Sequence, residues 1–283
     1  MDFLTLFPDL QPWMKSIGAG WPASLIKSTG WLFPVIETVH LLGLAALGGC
    51  VLILNLRLMG VGIASESAAL VEKNMRPWLW VAILVLIFTG LLMGTVVAQR
   101  LYTRPVFLVK MLSLVAALIL SIGVTGSIAR NEGVVSRPAK IMAGIALAIW
   151  LFALSVFATT TGPAPGTFHI VCAAWLIVMG FGSKMTRIML GSITAVVVIT
   201  IGIITYVVFN PLDNYDIVME INRWTVRLGG LVVAGFVLWE FAGPKSEPRI
   251  TPTLARLIGV FTILVWVTVA ASGRWIGLGG GQG

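Results

Sequence analysis

The chain alternates between long apolar runs and short stretches that hold most of its charged residues. Eight runs are each long enough to cross a bilayer as a helix of roughly 17–25 residues. They lie at residues 31–55, 77–99, 106–129, 141–161, 166–183, 188–209, 224–240 and 257–272. The fifth run is the least distinct, because it is short and only four residues separate it from the sixth. The pattern predicts an all-α integral membrane protein with about eight transmembrane helices.

Composition supports the membrane class and excludes several others. Hydrophobic residues make up 58% of the chain and charged residues only 11%, whereas a soluble domain carries about 25% charged residues. The net charge of +8 comes from Lys and Arg residues that stand singly near the ends of the runs, so we predict no nucleic-acid partner. The two cysteines cannot form a disulfide framework, and no set of residues typical of a hydrolase is present.

The distribution of Lys and Arg predicts the topology. They are more frequent in the linkers that follow the first, third, fifth and seventh runs, which places those linkers on the cytoplasmic side. Both termini are then predicted to lie outside the bacterial inner membrane. Residues 1–30 mix charged and aromatic residues with prolines, and we predict a retained amphipathic segment on the membrane surface.

The sequence also contains an internal repeat, in which the first four spans correspond to the last four. His40 precedes an Arg-Leu-Met-Gly stretch and His169 precedes an Arg-Ile-Met-Leu-Gly stretch at a similar distance. The shift that places Trp150 on Trp266 also places Lys140 on Arg256. We therefore predict two four-helix units, residues 31–161 and 162–283, related by a pseudo-twofold axis along the membrane normal. The first unit has an additional amphipathic stretch at residues 61–76.

Several segments resemble an uncharacterised bacterial family of four-helix integral membrane proteins. The resemblance covers the first unit and, in the second, mainly the last span, and it implies a fold but no activity. Ala158 stands where the family ending would require the counterpart of Arg274, so the family pattern is divided between the two units. The segments are Trp31-Leu-Phe-Pro-Val-Ile-Glu-Thr-Val-His40, Leu-Arg57-Leu-Met-Gly, Thr89-Gly90, Lys110-Met and Gly273-Arg274-Trp275-Ile276-Gly277.

The two histidines are the best candidates for chemistry. His40 and His169 are the only histidines in the chain, and the pseudo-twofold would point them at one another. One imidazole on each side of an iron atom is the arrangement of a bis-histidine haem. We therefore predict that His40 and His169 are the two axial ligands of a haem b. Gly43 and Cys172 follow the histidines by three residues on the same helical faces, where their small side chains would let a flat ring approach.

Charged residues on the same side of the membrane extend this candidate site. Lys110, Arg227 and Arg274 lie near the outer ends of their spans and could pair with haem propionates. Glu37 precedes His40 by one helical turn. Its carboxyl could orient His40, carry a proton near the iron, or simply reach the interface.

These features predict a membrane b-type cytochrome or the anchor subunit of a redox complex. It would transfer single electrons between a partner at the outer face and quinone or another redox subunit, by distant analogy with b561-type membrane cytochromes. One alternative is a small-solute or proton-coupled transporter or channel, with Glu37, His40, Lys110 and Arg227 along its pathway. Another is a structural subunit without a cofactor, in which the histidines only form hydrogen bonds between helices.

Overall fold

The computed structural model describes residues 2–63, 65–159, 167–243 and 251–278, and it is built from helices. The eight bundle helices are α1 (Leu32–Met59), α2 (Ala68–Val96), α3 (Pro105–Arg130), α4 (Arg137–Ala158), α5 (Phe168–Phe181), α6 (Lys184–Val208), α7 (Tyr215–Ala242) and α8 (Thr253–Leu278). Among the described residues, all of these except α5 are long and apolar enough to cross a membrane. The protein is therefore a multi-pass membrane protein, and the predicted fold class is confirmed.

The exact number of crossings depends on α5. It has 14 residues, which span about 21 Å at 1.5 Å per residue, less than the roughly 30 Å of a hydrocarbon core. This is the run whose limits were least distinct in the sequence. Eight crossings therefore stay a prediction, while seven helices of sufficient length are present in the described ranges.

Serine side chains begin several of the helices. Ser67, Ser136 and Ser183 precede α2, α4 and α6, and each accepts a hydrogen bond from a backbone N–H of the first turn, which satisfies a group that the helix itself leaves unpaired. α2 begins at Ala68, so the amphipathic stretch predicted at residues 61–76 continues without a break into the second span. Most of that stretch is the charged first part of α2.

The first thirty residues form short helices beside the bundle. These are Phe3–Leu6, a 3-10 turn at Pro8–Leu10, Gln11–Ala19 and Ala23–Ser28. Gln11–Ala19 packs on the short helix Ala98–Tyr102 that follows α2, and Ala23–Ser28 packs on α2 itself. The Tyr102 hydroxyl donates to the carbonyl of Phe7. The segment thus lies against the end of α2 that is distant from Ser67.

The last helix is central to the bundle. In an apolar 18-residue stretch of α8, 67% of the residues are buried, compared with 11% in the corresponding stretch of α6. It packs on α1 and α3 as well as on α5 and α7. The indole of Trp266 donates to Ser121 of α3 at 2.8 Å, and that of Trp150 in α4 donates to Thr268 of α8 at 2.9 Å. These bonds join α8 to the first four helices.

The contacts do not confirm the predicted pseudo-twofold axis. Under that symmetry α4 is the counterpart of α8 and would pack on α5 and α7 as extensively as α8 packs on α1 and α3. In the structure α4 packs chiefly on α3. The two-unit arrangement therefore stays a prediction.

Candidate functional site

His40 lies in the first half of α1 and faces α2. Its Nδ1 is 2.7 Å from the Thr89 hydroxyl oxygen, and that hydroxyl donates its own proton to the carbonyl of Val85 at 2.6 Å. Because Thr89 has only one proton to donate, it accepts from His40, so Nδ1 carries the imidazole proton. The other ring nitrogen, Nε2, is left with a free lone pair.

Two glycines allow α1 and α2 to approach closely at this level. A Cβ placed on Gly90 would lie 3.4 Å from His40 Cε1, and one placed on Gly43 would lie 3.0 Å from Val85 Cγ1. Gly90 therefore gives the imidazole its space against α2. The space beside Gly43, predicted to admit a flat ring, is occupied by side chains of α2.

Lys110 adds a cation to the same region from α3. It interacts electrostatically with His40. Its ammonium nitrogen lies 3.4 Å from the position that a Cβ on Gly273 of α8 would take, so the glycine leaves room for the charged group. Residues from α1, α2, α3 and α8 thus meet around His40, and we call this region the histidine end of the bundle.

His169 has a different environment from His40. It is exposed at the start of α5, and the indole of Trp275 in α8 donates to its Nδ1 at 3.5 Å. The two rings meet edge to face, with centroids 6.3 Å apart. An Nδ1 that accepts a hydrogen bond places the proton of the neutral ring on Nε2. This long contact therefore favours the Nε2–H tautomer of His169, opposite to that of His40, and the ring contacts of the two histidines go to different helices.

The other predicted site residues are dispersed. Arg227 lies over the ring of Trp224, 5.0 Å from its centroid, and 4.0 Å from the carboxylate of Glu220, so residues of its own helix already contact it. Arg274 and Glu37 are exposed, and Cys172 is half-buried. Within the described ranges, no group of three or more His, Cys, Asp or Glu side chains could hold a metal ion.

The opposite end of the bundle contains a charged cluster that sequence reasoning did not single out. The Glu72 carboxylate is 6% exposed, and it accepts from Arg76 Nε at 2.8 Å and from an Arg130 Nη1 at 2.6 Å. A Cβ on Gly126 would lie 3.3 Å from both Glu72 and Arg130. No local sequence signal links Glu72 to Arg130, because the two residues lie 58 positions apart in the chain, and the cluster could be found only by knowing which helices are neighbours.

A second buried carboxyl lies among the later helices. Glu240 near the end of α7 is buried, and the Thr186 hydroxyl of α6 donates to it at 2.8 Å. Both carboxyls are thus held by residues of a neighbouring helix, as buried polar groups in membranes require.

Comparison with known proteins assigns no activity. Residues 24–163 match the model of a family of unknown function, DUF6644. The match covers the helices α1 to α4 and slightly less than half of the 283 residues. No curated protein and no solved structure matches the chain. The likeness of the first four helices to an uncharacterised family agrees with the resemblance seen in the sequence, and no second match supports a tandem duplication.

Proposed function

We propose that the protein is a membrane b-type cytochrome, or the anchor subunit of a redox complex, that binds haem b through His40. The observation that supports this is the hydrogen bond from His40 Nδ1 to Thr89. A histidine that ligates iron through Nε2 commonly donates its other N–H to a neighbouring acceptor, which fixes the ring and raises its basicity. His40 already has this arrangement.

The residues at the histidine end fit one side of a haem better than they fit both sides. His40 offers a free Nε2 and stands next to Gly90, and Lys110 supplies a cation for a carboxylate. His169 is proposed as the second ligand, but ligation through its Nε2 requires the proton to move to Nδ1 and the bond from Trp275 to break. Arg274, being exposed, could pair with a propionate; Arg227 would first have to leave Glu220.

The bound group would supply one-electron transfer, and the chain's own residues would hold and orient it. Electrons would pass between a partner at the histidine end and quinone or another redox subunit. We propose that this end faces the outside of a bacterial inner membrane, with both termini on that side, in line with the Lys and Arg distribution. The two four-helix units and the likeness to b561-type cytochromes belong to the same proposal.

A visible spectrum of the purified protein, oxidised and then reduced with dithionite, tests the cofactor. We expect the bands of a b-type haem. His40→Ala should lose the haem, whereas His169→Ala should keep it and become high-spin if His169 is the second ligand. If the spectrum of His169→Ala is unchanged, His169 is not a ligand. If wild-type protein binds no haem even when haem is supplied, the proposal is rejected.

The buried carboxyls favour one alternative, a proton-coupled transporter or channel. Ionisable residues inside membrane spans often mark the pathway of an ion or proton, and Glu72 and Glu240 are both buried within long helices. Flux in proteoliposomes distinguishes the two functions: a colourless protein whose proton flux falls in Glu72→Gln would support transport. A colourless protein without flux would support a structural subunit.

A further inference from the structure

A small cavity lies between α1, α2 and α3 at the end of the bundle that holds Glu72. Its volume is about 20 Å³, more than the roughly 10–15 Å³ that one water molecule needs. The side chains around it are mostly polar or polarisable, although it is located inside a membrane bundle. They include Cys50, Asn55, Glu72, Arg76, Ser121 and Thr125.

One residue that lines this cavity, Asn55, has a buried polar atom without a hydrogen-bond partner among the described residues. Asn55 is 1% exposed, and its side-chain nitrogen donates to the carbonyl of Val51 at 2.7 Å. Its oxygen Oδ1 accepts no hydrogen bond from any described residue. A buried acceptor without a donor is costly, because it has lost its hydrogen bonds to water.

The charges around the cavity decide what kind of ligand fits. Glu72 carries one negative charge and lies between the guanidinium groups of Arg76 and Arg130, so the local balance is positive and disfavours a cation. An anion is disfavoured by Asn55 Oδ1, which needs a donor. The volume excludes a ring-sized molecule such as a quinone head group. A neutral molecule of water size with donor protons meets all three conditions.

We propose that this cavity is a binding site for an internal water molecule that donates to Asn55 Oδ1. A π-helical turn of α3 at Ile119–Thr125 supplies the opposite wall through Ser121 and Thr125, and such turns occur frequently at functional sites. The water links α1 to α3 beside the Glu72 cluster. The site is distant in the fold from His40 and does not depend on haem.

Hydroxyl-radical labelling by X-ray radiolysis, read by mass spectrometry on the full chain in lipid nanodiscs, tests the water. Radicals form from bound water, and Cys50, which is buried, lines the cavity. We expect Cys50 to be oxidised clearly faster than buried Met59, which lies in an apolar cluster, after correction for the intrinsic reactivity of each side chain.

Two substitutions at residue 55 separate the water from other causes of oxidation. Asn55→Leu fills the cavity and removes the acceptor, so labelling of Cys50 should fall several-fold. Asn55→Ala enlarges the cavity, so labelling should stay or rise. Thr125→Leu, which extends an apolar side chain into the same cavity, replaces Asn55→Leu if the latter does not fold, with the same expected fall. Either of two results would overturn the proposal. One is that Cys50 is labelled no faster than Met59 in wild type, and the other is that Cys50 is labelled equally in Asn55→Leu and Asn55→Ala.

Discussion

The hydrogen-bond contacts of His40 and His169 predict opposite tautomers for the two rings, and this prediction can be tested without a cofactor. His40 donates from Nδ1 to Thr89, and His169 accepts at Nδ1 from Trp275. Because the chain has two histidines, histidine-selective ¹⁵N labelling gives two ring systems to assign. At a pH where both rings are neutral, His40 should show a protonated Nδ1 and His169 a protonated Nε2.

The perturbation that tests the first of these assignments is Thr89→Val. A neutral hydrogen bond contributes about 0.5–1.5 kcal/mol net, and tenfold in a population corresponds to about 1.4 kcal/mol. The bond to Thr89 should therefore favour the Nδ1–H form by roughly two- to tenfold. Valine keeps the volume and removes the acceptor, so the Nδ1–H population of His40 should fall by that factor while His169 stays unchanged.

Thr95→Val is the matched control for this experiment. Thr95 belongs to the same helix, and its hydroxyl donates to the carbonyl of Leu92 at 2.7 Å without contacting a histidine. The His40 signals should be the same in this variant as in wild type. A wild-type His40 protonated on Nε2, or an unchanged tautomer ratio in Thr89→Val, would refute the reasoning. If haem is bound, Thr89→Val should also weaken binding by roughly 10–100-fold, the usual effect of losing such a hydrogen-bond acceptor.

Three further predictions follow from the charged residues. Glu72→Gln should lower the free energy of unfolding, measured by denaturant titration in detergent, by about 2–3 kcal/mol, because Arg76 and Arg130 lose their charged partner. Glu66→Gln, at an exposed position, should stay within about 0.5 kcal/mol of wild type. In haem-loaded protein, Lys110→Gln should lower the reduction potential in a redox titration, because less positive charge favours the oxidised form; Arg227→Gln should lower it less, since Arg227 already contacts Glu220. A reporter active only in the cytoplasm should be silent at the C-terminus, and a strong signal there would contradict the topology.

Local patterns in the sequence were sufficient to predict the helices but not their neighbours. Apolar runs indicated all eight helices, because a bilayer requires long apolar stretches whatever surrounds them. The start of α2 was placed too late, since Glu72 and Arg76 were counted as linker residues. The burial of Glu72 depends on its bond to Arg130, which lies 58 residues away in the chain, and no periodicity reveals such a partner.

The candidate site was predictable in part for the same reason. His40 was identifiable, because ionisable residues are rare inside the apolar runs of membrane helices and often have a function there. Its partner Thr89 was not, because many hydroxyls in membrane helices simply bond to the preceding turn, as the one of Thr89 also does. The predicted approach of His169 depended on a symmetry that the position of α8 does not confirm.

The position of α8 brings together segments from both halves of the sequence that carried the predicted resemblance. The segments that carried the resemblance include His40, Thr89-Gly90, Lys110 and Gly273. In the chain they extend over more than two hundred residues, and the last lies outside the region matched by the family model. In the fold they come together: His40 contacts Thr89 and Gly90, and Lys110 interacts electrostatically with His40 and lies beside Gly273.

This convergence brings α1, α2 and α3 together with α8 at the histidine end. A four-helix unit made of consecutive helices would have closed the site with α4, whose end carries Ala158 at the position that the predicted repeat aligns with Arg274. The chain closes it with α8, the most deeply buried of the long helices. A site that takes three helices from the first half and one from the second exists once in the molecule, which agrees with the different surroundings of His40 and His169. The asymmetry therefore favours a single haem or a single pathway over two equivalent sites.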